Sequence, residues 1–137
     1  MRVLIDTNII IDILQNRQPF FNRSFDSVQL ALQKCSVYVS ATTITDVVYI
    51  TRKAFSNSID QKNALMDFFS QFRICSVKKK QLKKAFSSSM SDFEDAVQAF
   101  CAKHCHISYI ITRNTKDYKL SPVKAIEPMD FITILGK

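Results

Sequence analysis

Val3-Leu4-Ile5-Asp6-Thr7-Asn8 is an apolar run that stops at a carboxylate. Val3 to Ile5 read as a buried strand. Asp6 then falls at the carboxyl end of that strand, and Thr7 and Asn8 open the next element. Ligands of open α/β sheets bind along that edge. An unpaired buried carboxylate tends to neutralise, whereas a divalent cation beside it would keep it ionised.

The pattern recurs along the chain. Ser108 to Thr112 is a second β-branched, apolar run, followed by the polar turn Arg113-Asn114-Thr115-Lys116-Asp117. Asp46 comes just after Val37 to Ala41, a third strand-like run, and Asp92 and Asp95 open a helix-like stretch before Ser108. Acids therefore follow strands or begin helices, and in a parallel sheet those places share one edge. Strands are expected over 2–5, 37–41, 74–77, 108–112 and 123–126. Helices are expected over 7–14, 22–34, from Thr43 onward, and over 58–72, 78–86, 92–104 and 129–135. Alternation of this kind predicts an α/β fold with a small central parallel sheet flanked by helices.

A chain of 137 residues with 47% hydrophobic content suits a single domain, residues 1–137. No apolar stretch approaches the roughly 20 residues of a membrane span. Asp6, Asn8 and Asp12 interrupt any signal-peptide core, so a cytoplasmic protein with no membrane partner is expected. Cys35, Cys75, Cys101 and Cys105 form no C-x-x-C pair and read as free thiols; zinc at Cys101, His104, Cys105 and His106 lacks the paired knuckles of a closed site. The single glycine, Gly136, excludes a glycine-rich phosphate cradle. Phosphate chemistry would have to rest on carboxylates and metal. The net charge of +7 favours polyanionic partners.

These motifs together resemble a PIN domain. They are Leu4-Ile5-Asp6-Thr7-Asn8, a distal Asp46 after a strand, Asp92-Phe93-Glu94-Asp95-Ala96, and Ile111 to Tyr118. Their order and contexts agree over essentially the whole chain, and the small size resembles the VapC-type toxins of toxin–antitoxin pairs. The resemblance implies a three-layer PIN-like fold and a Mg²⁺- or Mn²⁺-dependent endoribonuclease with a pocket of acids. On this basis Asp6, Asp46, Asp95 and Asp117 are the expected catalytic acids, with Asp6, Asp95, Asp117 and Asp92 toward the metal. Thr7, Asn8, Thr112 and Asn114 match the polar lining of such pockets. Asp46 stands where the family more often has glutamate, so its shorter arm would act through a water. Hard oxygen ligands suit either ion.

The residues also have plainer readings. Ser91-Asp92-Phe93-Glu94 is a capping-box pattern in which Glu94 serves the Ser91 N–H, and Thr43-x-x-Asp46 reads as another cap. Asp12, Asp26, Asp60, Asp67 and Asp130 read as surface acids. Lys78, Lys79, Lys80, Lys83 and Lys84 form either a solvated helical face or a phosphate-contacting one. Arg113 and Lys116 flank the acids and are the expected grips on RNA, while Phe20, Phe21 and Tyr118 offer stacking faces. Phe68, Phe69 and Phe72 crowd one segment and suggest a partner-facing patch, hence a homodimer and a cognate antitoxin. Two other functions remain open. One is a catalytically decayed PIN-like module that binds RNA or a protein. The other is a phosphoryl-transfer protein, which wants an acid where Asn8 stands.

Overall fold

The computed structural model describes residues 1–136. Five strands, β1 (Arg2–Ile5), β2 (Ser36–Ser40), β3 (Arg73–Cys75), β4 (Tyr109–Ile111) and β5 (Ala125–Ile126), form one sheet in the order β3-β2-β1-β4-β5. Every neighbouring pair is parallel. The helices are α1 (Thr7–Leu14), α2 (Phe21–Lys34), α3 (Ala41–Thr51), α4 (Ser58–Phe69), α5 (Lys79–Phe86), α6 (Phe93–His104) and α7 (Pro128–Leu135). Among the described residues no helix is long and apolar enough to cross a membrane.

Side chains alternate across a strand, and here the alternation sorts the core into two layers. Val3 and Ile5 of β1, Val37 and Val39 of β2, and Ile111 of β4 pack with Ile9, Val28, Val47, Leu65 and Phe131, on one face. Leu4, Tyr38 and Ile110 point the other way, onto Ala85 of α5 and Ala96, Val97, Ala99 and Ala102 of α6. Three alanines in α6 let that helix lie close to the sheet. Phe69 and Phe72 belong to the core, where they cluster with half-buried Phe68. Phe69 and Phe72 are largely buried there, and their remaining surface lines an apolar groove with Met66 and Ile74.

The chain passes from β1 to β2 on one side and reaches β4 on the other. The strand order therefore reverses between β1 and β4, and a crevice opens at the carboxyl ends of those two strands. The Ile5–Ile111 register places Asp6 opposite Thr112, and the Asp6 N–H donates to the Ile111 carbonyl at 3.0 Å.

Helix starts differ from expectation in two places, each for a local reason. Helix α3 begins at Ala41 because Ser40, not Thr43, accepts from the Thr42 N–H; Asp46 is consequently mid-helix. Helix α6 is capped by Asp92, which accepts from the Asp95 N–H at 2.9 Å, so the Ser91–Glu94 box does not form and the Glu94 side chain is released. Strand β3 starts at Arg73 and spans three residues, since α4 ends at Phe69.

Candidate active site

Asp6 is buried at the end of β1 and accepts hydrogen bonds on both oxygens. Oδ1 receives the Thr7 N–H at 2.7 Å and the Gln98 amide at 2.8 Å. Oδ2 receives the Thr112 hydroxyl at 2.7 Å, with the Asn8 amide and the Tyr118 hydroxyl each at 3.3 Å. All of these donors are neutral. They fix the orientation of the carboxyl group without forming an ion pair with it.

Thr112 gives its proton to Asp6 and accepts from the Asn8 amide and the Asn114 N–H, so one hydroxyl joins β1, α1 and the turn after β4. Gln98 of α6 is the second junction. Its amide also donates to the Tyr118 hydroxyl at 2.7 Å, and its oxygen accepts from Thr43, which contacts Thr7 at 2.9 Å. The Tyr118 oxygen lies 3.2 Å from Asp95 and 3.3 Å from Asp6, with one proton to share between two carboxylates.

Asp6, Asp92, Glu94, Asp95 and Asp117 line one cavity of about 380 Å³, together with Thr7, Asn8, Arg17, Gln98 and Asn114. Five carboxylates converge on it, yet the single ion pair among the described residues is Asp12–Arg113, elsewhere. The electrostatic result is visible in Asp95. Burial first, then the charges of Asp6 and Asp92, push its pKa up to about 7, against a smaller lowering by the Tyr118 hydrogen bond. Glu94 also rises to about 7, chiefly through a hydrogen bond shared with Asp46, with burial and the neighbouring acids adding to it. Asp46 does not line the cavity itself; it acts on Glu94, which does. Asn114 is exposed and lines the cavity, and the exposed Lys116 is next to Asp117 in the chain.

Asp12 and Arg113 are the main correction. Asp12 is fully buried, not a surface acid, because α1 turns it inward beneath the turn after β4. Arg113 grips it with two donors, at 2.7 and 2.9 Å, and the Ser24 hydroxyl donates to it at 2.8 Å. The guanidinium lies 3.9 Å over the Phe20 ring. Arg113 is thus tied to the scaffold, and Phe20 stacks on it. Tyr118 is likewise no stacking face: its ring is buried and its hydroxyl enters the acid pocket.

Sequence reading misses Gln98, Tyr118 and Glu94 in these roles. Gln98 is polar on the otherwise apolar stripe of α6, at three residues from Asp95, and that anomaly was the available signal.

A divalent ion is the group the pocket chemistry fits. Its lining carboxylates are hard oxygen donors with no ion-pair partner among the described residues. Among the described residues no three such side chains are gathered tightly enough to hold an ion as they stand. The two 3.3 Å contacts on Asp6, from Asn8 and Tyr118, are the weakest of its set.

Replacing Tyr118 by phenylalanine is expected to raise the Asp95 pKa further, since the lowering hydrogen bond is lost. It should also weaken any metal-dependent turnover by about 10–100-fold, the usual cost of removing a partner behind a metal ligand. Carboxyl titration by NMR checks the first effect.

The fold is similar to a toxin–antitoxin complex from Klebsiella pneumoniae, at 22% identity and a TM-score of 0.72 over 92% of this chain and 97% of that one. It is similar to VapBC2 from Rickettsia felis, solved bound to a DNA fragment from their promoter, at 16% identity and a TM-score of 0.70 over 93% and 98%. VapC20 of Mycobacterium tuberculosis, a sarcin–ricin-loop-cleaving toxin, aligns at 11% identity and a TM-score of 0.64 over 89% and 98%. No curated protein sequence matches. The sequence model of the PIN domain matches residues 2–116, and with the acids converging at the β1/β4 crevice the chain belongs to the PIN-domain family.

Proposed function

We propose that this protein is a Mg²⁺- or Mn²⁺-dependent endoribonuclease. The observation that carries this reading is the cavity where five carboxylates meet with Arg17 as the one basic residue in the lining and no ion pair to any of them among the described residues. Asp6, Asp95 and Asp117, with Asp92 beside them, would hold the ion. A bound Mg²⁺ or Mn²⁺ supplies Lewis acidity toward a phosphodiester and makes water a competent nucleophile near neutral pH.

The chain's own residues do the rest. Asp6 is held in orientation by its neutral donors. Asp95, whose pKa rises to about 7 in the metal-free chain, would be ionised by a bound cation, and Tyr118 keeps it in register with Asp6. Glu94 reaches the cavity with the longer arm that Asp46 lacks. Thr7, Asn8 and Thr112 act by holding Asp6, while Asn114 and Lys116 would meet the scissile strand. Arg113 acts through Asp12 by fixing the turn that carries Thr112. Purified protein should cleave RNA with added Mn²⁺ and lose that activity in EDTA. RNA left intact under all metal conditions rejects the enzyme in favour of a binding module.

We infer also that the protein is the toxin of a toxin–antitoxin pair and self-associates. Support comes from a groove of about 570 Å³ on α3, α4 and β3, where Val48, Met66 and Ile74 are exposed. A groove this apolar favours a protein partner. Sedimentation at high micromolar concentration should give a dimer, and Met66→Lys should shift it to monomer. A wild-type monomer at that concentration rejects self-association.

A further inference from the structure

The lysines of α5 are not equivalent once the chain is folded. Lys83 and Lys84, in its last turn, line a groove of about 510 Å³ with Ser87, Phe100, Lys103 and Pro122. Lys103 and Pro122 also line the adjoining groove, which continues past His106 and Ser108 to Lys124. The two make one trough, built from the ends of α5 and α6 and the segments leading into β4 and β5. No acid lines either groove, and among the described residues none of its lysines has an ion-pair partner. Lys78, Lys79 and Lys80 line neither.

Its position is informative. Residues just before parallel strands lie at the edge opposite the acids. Helix α6 spans the gap, with Asp92, Glu94 and Asp95 at its start and Lys103 near its end. Its twelve residues make it roughly 18 Å long. Lysines in a helix's last turn also offset its dipole. That accounts for Lys83, Lys84 and Lys103 singly, but not for Lys124 from a loop or for a half-buried Phe100 that lines a trough among them with the exposed Pro122.

Resting on the ribonuclease reading, we propose that this trough is a second RNA-binding site, which holds the phosphate backbone of the substrate at a distance from the acid pocket. Lysines meet phosphates there, and Phe100 offers a base a stacking face. At about 3.4 Å per nucleotide along a stacked strand, roughly five nucleotides cover the length of α6. Shorter RNAs cannot occupy both sites.

The test uses the full chain and labelled RNAs of 4 and 20 nucleotides. Binding is measured in EDTA, where the metal-free acid pocket repels phosphate. The 20-mer should bind with a salt dependence that Lys83→Gln/Lys84→Gln/Lys103→Gln flattens by about 2, some 0.7 per lost contact on a single strand. Affinity should fall about tenfold or more. Lys78→Gln/Lys79→Gln/Lys80→Gln removes the same charge outside the trough and should change it less than twofold. Cleavage of the 20-mer in Mn²⁺ should weaken through KM in the first variant, with cleavage of the 4-mer unaltered. Matching thermal midpoints show that both variants fold. Equal losses in the two variants, or none in the first, overturn the trough. A protein that cleaves nothing yet shows the expected binding difference rejects the nuclease reading while the second site stands.

Discussion

Arg113→Ala should lower the unfolding free energy by about 3–5 kcal/mol, a large part of what a domain of this size has in hand. The cost is less the lost attraction than the carboxylate left behind. Asp12 has no exposed surface, and without Arg113 only the Ser24 hydroxyl still serves it. Asp12→Asn should cost less, because Arg113 is 24% exposed and can turn to water. The double variant Asp12→Leu/Arg113→Leu should recover part of the loss, since it removes both charges from a site otherwise packed by Phe20. Urea unfolding of the three variants measures this. An Arg113→Ala cost below about 1 kcal/mol, typical of a surface pair, would return Arg113 to the role of an RNA grip.

That pair also shows where sequence reading runs out. The strand ends, and with them Asp6 and Thr112, were legible because short β-branched runs stop abruptly at polar residues. Asp95 was legible from its place one turn into an amphipathic helix. Asp12 was not: it sits between Ile11 and Ile13, and a charge inside an apolar helix is read as outward-facing unless its partner is known. The partner is 101 residues away. Contacts of that separation are set by the order of strands, which local periodicity does not encode. Gln98 and Tyr118 were missed for the same reason, as both act across elements. Glu94 was misassigned by a rule that is locally sound. Asp92 can cap the helix as well as Ser91, and tertiary placement over the acid pocket decided between them.

Asp95→Asn should abolish Mn²⁺-dependent cleavage, a loss of about 10³-fold or more if the carboxylate helps hold the ion, and should stabilise the metal-free protein at alkaline pH. The sign follows from the direction of the shift. In the folded chain the Asp95 pKa is about 7, above its unfolded value of about 3.9. Below pH ~4 the group is protonated in both states and contributes nothing. Between pH ~4 and ~7 the unfolded chain ionises first, so stability falls as pH rises, and above pH ~7 the full penalty is in place. Glu94, raised to about 7 as well, adds a penalty of the same sign. Asp95 is half-buried, so solvent screening leaves its share on the order of 1–2 kcal/mol. Wild-type protein in EDTA should therefore melt at a lower temperature at pH 8 than at pH 5. Asp95→Asn should flatten that slope, and Mn²⁺ should raise the pH 8 midpoint of the wild type but not of the variant. A wild-type midpoint that climbs from pH 5 to pH 8 would mean that Asp95 is not held among repelling carboxylates. An Asp95→Asn protein with undiminished cleavage would move the metal to Asp92 and Glu94.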